Sequence, residues 1–139
     1  MKLWNQNSKD KNSAIDHFLS SEDIALDQEL FLYDIEASIA HTHELEKINI
    51  FTKTESKKVI SSLKKLGKLF QTNKFKLTAK YEDCHSAIED FLTKELGSTG
   101  KKIHTGRSRN DQIMVAMRLY AREKLDEIQS KNLKVAKAF

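Results

Sequence analysis

Apolar residues recur every three or four positions over long stretches of this chain, separated by short polar breaks, and that period predicts helices. From about Asp23 to Asn49 the recurring residues are Leu26, Leu30, Tyr33, Ala37 and Ala40, with Ile35 and Ile39 widening the stripe. Thr52-Lys53-Thr54-Glu55 reads as a capping box, in which the Thr52 hydroxyl accepts from a backbone N–H while Glu55 reaches back. It predicts a second helix with Val59, Ile60, Leu63, Leu66 and Phe70 facing inward. A third helix spans about Glu82 to Leu96, with Ala87, Ile88, Phe91 and Leu92 inward and Gly97 as its C-cap. The stretch from Gly97 to Asn110 is expected to be a loop. A last helix, from Asp111 to Phe139, carries Ile113, Met117, Tyr120, Leu125, Ile128, Val135 and Phe139 on one side. Residues 1–21 have no period and predict an extended arm, in which Trp4 is the residue expected to dock. No strand alternation and no internal repeat is evident, so the expected fold class is all-α.

The last helix changes this picture. Its apolar side chains represent ~1.5–3 kcal/mol each on burial, and three shorter helices offer too little surface along its full length. No stop signal follows it. A bundle continued by further sequence or by other subunits would cover it. Composition agrees with long helices, since the chain has no Pro and four Gly.

The net charge of +4 is a weak indication of nucleic acid. Lys57-Lys58, Lys64-Lys65 and Lys101-Lys102 read as solvated faces, and no aromatic residues interleave with them as a base-stacking platform requires. No apolar run approaches the ~18 residues of a membrane span, and no secretory signal is visible. The single cysteine, Cys84, sits on an apolar helix face and reads as a buried residue rather than a nucleophile. Together these features predict a cytoplasmic protein with neither a membrane nor a nucleic-acid partner.

Chemistry concentrates in His104-Thr105-Gly106-Arg107-Ser108-Arg109-Asn110-Asp111-Gln112. Two arginines, an asparagine and the hydroxyls of Thr105 and Ser108 stand on a glycine-hinged segment in front of a helix. A helix N-terminus presents unpaired N–H groups and partial positive charge. Guanidinium groups added there make a carboxylate or phosphate clamp. The alternative for either arginine is a structural pairing with an acid such as Asp111. His85, at the start of the third helix, is a candidate for a supporting role near the clamp, and a structural role is its alternative. His41 and His43 lack the spacing of a metal pair, and His17 and His104 add no partner, so no metal is expected. Gly97, Gly100 and Gly106 lack the spacing of a phosphate loop. No nucleophile–base pair is recognisable, so no catalytic residue is assigned within this chain.

The segment His104 to Gln112 closely resembles the signature loop of the argininosuccinate lyase family. Asp34-Ile35-Glu36-Ala37-Ser38-Ile39-Ala40-His41 is similar to that family's first core helix, and Met1-Lys2-Leu3-Trp4 to its start. Glu82-Asp83-Cys84-His85, Leu96-Gly97, Gly100-Lys101-Lys102-Ile103, Arg118-Leu119-Tyr120 and Arg122 agree in order and spacing. Two departures stand out. Asn5-Gln6-Asn7-Ser8 replaces a Gly-Gly-Arg-Phe run, and Asp23 stands where a substrate-contacting Ser is expected.

The resemblance implies reversible cleavage of argininosuccinate into arginine and fumarate, a step of arginine biosynthesis, within the fumarase/aspartase superfamily. It implies substrate binding by Thr105, Ser108, Arg109 and Asn110, a homotetramer with a central helix bundle, and no cofactor. Family members are much longer, with their catalytic acid and base segments beyond residue 139. Residues 1–110 then correspond to an N-terminal helical domain with the substrate-binding loop, and residues 111–139 to the beginning of the central bundle. Two other readings remain: a non-catalytic protein of the same fold, which also serves as a structural lens protein, and a basic helical module for nucleic acid. The 139-residue chain by itself is expected to release no fumarate from argininosuccinate; release above a blank in a spectroscopic assay would contradict that.

Overall fold

No Gly or Pro interrupts residues 13–47, and the chain forms a single helix there, α1 (Ser13–Lys47). In this computed structural model the backbone is described for residues 13–139 apart from 79 and 82, and side chains from Leu26 onwards with the same two exceptions. The arm expected through residue 21 is thus helical from Ser13. The expectations for Trp4 and Asn5–Ser8, and for the side chain of Asp23, lie outside the described residues. The buried line of α1 also differs from the expected stripe. Leu26 is 66% exposed, whereas Phe31, Ile35 and Leu45 enter the core beside the buried polar residues Asp34, Ser38 and Thr42. Three polar residues on the inward face disguise it as solvated.

Asn49 ends α1 by taking a φ of 61°, which Asn tolerates better than most residues. The N–H groups of Ile50 and Phe51 then close on the Leu45 carbonyl. Thr52 opens α2 (Lys53–Gln71) with both bonds of the expected capping box. Val59, Leu63 and Leu66 are fully buried, Phe70 packs against the core from its edge, and Ile60 is half-buried. Phe75 of the following segment lies 5.7 Å from Phe31 and 6.2 Å from Phe91 between ring centroids, so an aromatic cluster closes this connection.

Asp83 caps α3 (Cys84–Leu96), accepting from the Ser86 N–H. Ala87, Ile88 and Leu92 are buried as expected, and Phe91 packs at the rim. Gly97, at φ 60°, ends this helix and donates to the Thr93 carbonyl. The segment expected to be a loop is instead largely wound. It forms a one-turn helix, α4 (Ser98–Lys101), and a 3₁₀ turn (Lys102–His104), with Ile103 buried. Buried Gly100 passes against the backbone of α3 at Leu92 and Thr93, where a side chain would collide with the Leu92 carbonyl. Lys102 donates to Glu55 at 2.7 Å and to the Ile50 carbonyl at 3.3 Å, tying the 3₁₀ turn to the start of α2. That bond, followed by those from the Thr52 N–H and hydroxyl, lowers the Glu55 carboxyl to about 2.

The last helix, α5 (Arg109–Ala138), packs on α1, which also contacts α2 and α3. The expected all-α class is the class observed, with no strand among the described residues. Only Gln112 and Ala116 of α5 are buried, and Tyr120 meets Tyr33 edge-on at 5.6 Å. The expected apolar face is real and open: Leu125 is 65% exposed and Ile128 53%. Gly100→Ala is expected to lower the stability by roughly 1–3 kcal/mol through overpacking against backbone that cannot yield, measured as a lower midpoint of urea unfolding.

Candidate functional site

Ser108 decides where α5 starts. Its hydroxyl accepts from the Asp111 N–H, and the Asp111 carboxylate accepts from the Ser108 N–H at 2.7 Å, a second capping box. The Ser108 hydroxyl also donates to Asp111 at 2.9 Å. These bonds hold the Asp111 carboxyl below the usual carboxylate range. Asp111 is therefore bonded to Ser108, and the pairing of an arginine with an acid, the alternative reading, is seen between Arg109 and Asp83. The helix begins at Arg109, two residues before the expected start. Ser108, Arg109 and Asn110 consequently stand together at a helix N-terminus, where N–H groups and the helix dipole favour anions.

Arg109 leans on the start of α3. Its Nε lies 3.2 Å from the Asp83 carboxylate, and its Nη2 lies 3.4 Å from the Ser86 hydroxyl. Asp83 thus both caps α3 and pairs with the Arg109 guanidinium. Asn110 is exposed on the first turn of α5. Thr105 is exposed on the segment before it, and its carbonyl accepts from His41 Nε2 at 3.0 Å. Gly106 reverses the chain between Thr105 and Arg107 with φ 76°, a conformation that a residue with a Cβ adopts at a cost. Arg107 turns inward instead of joining the exposed group. Its Nη2 donates to the Ser38 hydroxyl at 3.0 Å, and its Nε is buried without a partner. Burial lowers its affinity for a proton, against the attraction of Asp34 and Asp111. Burial and the nearby Arg107 charge likewise depress His41.

His85 is buried beneath this surface. Its Nδ1 donates to the carboxylate of fully buried Asp34 at 2.6 Å. Burial alone would lower its pKa; the bond to Asp34 and the charges of Asp34, Asp83 and Asp27 outweigh that and raise it. Cys84 lies beside them, its thiol 3.7 Å from Asp34, with its N–H donating to Asp27 at 2.8 Å. Burial and the surrounding carboxylates push the Cys84 thiol far up, so it stays protonated. Asp34, Cys84 and His85 form a set of potential metal-ligating groups that sequence spacing did not reveal, because they come from two helices. The 2.6 Å approach of Asp34 to His85 is that of a hydrogen bond. Two ligands at about 2.0 Å on a tetrahedral ion stand about 3.3 Å apart.

Ser108, Arg109 and Asn110 thus stand over a buried polar group of Asp34 and His85, and comparison with known proteins gives the class. Residues 9–139 match a family model described as lyase, and the chain belongs to that family. More particularly, it is similar to proteins named argininosuccinate lyase. That of Xylella fastidiosa (strain Temecula1) is 44% identical over 134 residues, covering 96% of this chain and 30% of the relative. That of Xanthomonas campestris pv. campestris (strain B100) is 47% identical over 135 residues, covering 97% of this chain and 31% of the relative. The argininosuccinate lyase of Stenotrophomonas maltophilia (strain R551-3) is 45% identical over a like span. The chain spans about 30% of the length of these curated relatives.

The raised His85 value has a consequence for stability. Because its folded value lies above the unfolded value near 6.5, His85 contributes stability that is complete below about 6.5 and is lost as the pH rises through the folded value. His85→Ala is expected to cost roughly 3–5 kcal/mol by leaving Asp34 buried without its partner. It is also expected to flatten the pH dependence of the urea midpoint above neutrality; an unchanged slope would remove His85 as its source.

Proposed function

We propose that this chain is the N-terminal portion of an argininosuccinate lyase. The observation that carries the reading is the 44–47% identity to proteins of that name along nearly all of the chain. The placement of Ser108, Arg109 and Asn110 at the first turn of α5 supports it. Residues 1–110 are the N-terminal helical domain with the substrate-binding loop, and residues 111–139 begin the central bundle.

In the reaction, a base removes a proton from the carbon next to a substrate carboxylate. The electron pair left behind forms the carbon–carbon double bond of fumarate as the bond to the guanidinium nitrogen breaks, and arginine leaves with a proton on that nitrogen. Charge accumulates on the carboxylate before the bond breaks, so donors already in place around it lower the barrier. Arg109, held by Asp83, and the amide of Asn110 are such donors. Ser108 contributes by starting the helix that aims N–H groups at the anion, and Thr105 offers a further hydroxyl. His85 supports the site from beneath. The acid and base come from other segments of the enzyme, and the chemistry needs no cofactor.

A homotetramer is part of the proposal. The exposed apolar residues of α5 support it, since a central bundle of such helices would bury Leu125, Ile128, Leu133 and Val135. The enzyme is placed in the cytoplasm, where the reducing environment suits an unpaired thiol such as Cys84. No helix among the described residues is long and apolar enough to cross a membrane.

In the natural-length protein, Asn110→Ala is expected to lower kcat/KM for argininosuccinate by about 10- to 100-fold, the loss of a hydrogen bond to a charged group. Circular dichroism should stay unchanged, because Asn110 is exposed. Unaltered kinetics would remove Asn110 from the site.

A further inference from the structure

Four polar residues of α1 each bond to a segment of the site, and they lie in one line. Asp27 accepts from the Cys84 N–H, and Asp34 accepts from His85. Ser38 accepts from Arg107, and His41 donates to the Thr105 carbonyl. Their spacings of seven, four and three residues place them within about 60° of helical arc at 3.6 residues per turn. The stripe has two halves with different clients. Asp27 and Asp34 grip the start of α3, where Asp83 and Ser86 hold Arg109. Ser38 and His41 grip the segment that runs from Thr105 into Ser108 and Asn110.

We propose that this stripe of Asp27, Asp34, Ser38 and His41 is the positioning element of the site, a polar rail that fixes the start of α3 and the Thr105–Asn110 segment relative to each other. The inference rests on the reading of that segment as the substrate clamp. Its physical ground is the kind of contact each half makes. Hydrogen bonds are directional and weaken steeply as their geometry departs from the optimum. A clamp must be held to within about 0.5 Å to act. Ser38 is fully buried, so its hydroxyl is directed at a protein partner and not at solvent. Arg107, with its Nε buried and unpartnered, is held by its bond to Ser38. None of the four is placed in contact with substrate, so they are positioning residues.

The test compares variants of the natural-length protein in argininosuccinate cleavage and in thermal unfolding. Ser38→Ala and His41→Leu are each expected to lower kcat/KM by about five- to tenfold while moving Tm by less than about 3 °C. His41→Gln, which keeps a side-chain N–H donor, should recover most of the loss. Ile35→Val, a core truncation on the same helix, should do the reverse, lowering Tm and leaving kcat/KM intact. If Ser38→Ala and His41→Leu match the parent while Asn110→Ala is impaired, the rail is wrong and the clamp stands. If all the α1 variants, Ile35→Val included, lose activity in proportion to Tm, α1 is merely structural and the rail is again wrong. If Asn110→Ala and Arg109→Lys both match the parent, the clamp reading fails and takes the rail with it.

Discussion

A carboxylate with no exposed surface survives in a folded protein only where a partner offsets its lost hydration, and Asp34 is such a group. The partner is His85, on the first turn of α3, at 2.6 Å. This contact fixes more than two side chains. It sets the start of α3 against the middle of α1, and the start of α3 carries Asp83, on which Arg109 rests. A shift of α3 along α1 would break a buried charge-assisted bond before it disturbed the apolar core. The register between these helices is therefore specified by polarity, while apolar side chains such as Phe31, Leu63 and Leu92 supply burial that holds them together.

The same separation of tasks recurs across the molecule. Apolar contacts unite α1, α2 and α3 around one core. Capping groups then decide where each element begins. Thr52 with Glu55, Asp83 with Ser86, and Ser108 with Asp111 each satisfy backbone donors that the first turn of a helix leaves open. Lys102 ties the 3₁₀ turn to the first of these devices by reaching to Glu55. Surface ion pairs such as Lys65 with Glu95, more than a third exposed on the lysine side, add little beyond solubility.

What could be read from the sequence follows from the range of each interaction. The Thr52 capping box is local and was legible, as were the inward faces of α2 and α3. The start of α5 was legible in principle, since Ser108 and Asp111 show the same spacing as Thr52 and Glu55; read as ligand chemistry, the pair conceals its capping role. The inward face of α1 was hidden because Asp34, Ser38 and Thr42 stand where apolar residues would mark it. The pairing of Asp34 with His85 joins residues 51 positions apart, and that of Arg109 with Ser86 residues 23 apart. No periodicity encodes such contacts. Arg107, Ser108, Arg109 and Asn110 stand together in the sequence, but the inward turn of Arg107, which separates it from Arg109, depends on the Gly106 reversal and on Ser38.

Helix α5 also has a mechanical meaning. It is 30 residues long, about 45 Å at 1.5 Å per residue. It is gripped near its first turns, where Gln112 and Ala116 are buried and Ser108 caps it. Such a body is a lever pivoted at one end. A tilt of about 2° at the first turn would carry the far end through roughly 1.5 Å, enough to misalign side chains there. Read in the opposite direction, the lever gears down: a displacement of that size at the far end reaches the first turn as a small fraction of an ångström. A contact made on the distal half of α5 would thereby act on the alignment of Arg109 and Asn110 in finer steps than one made beside them.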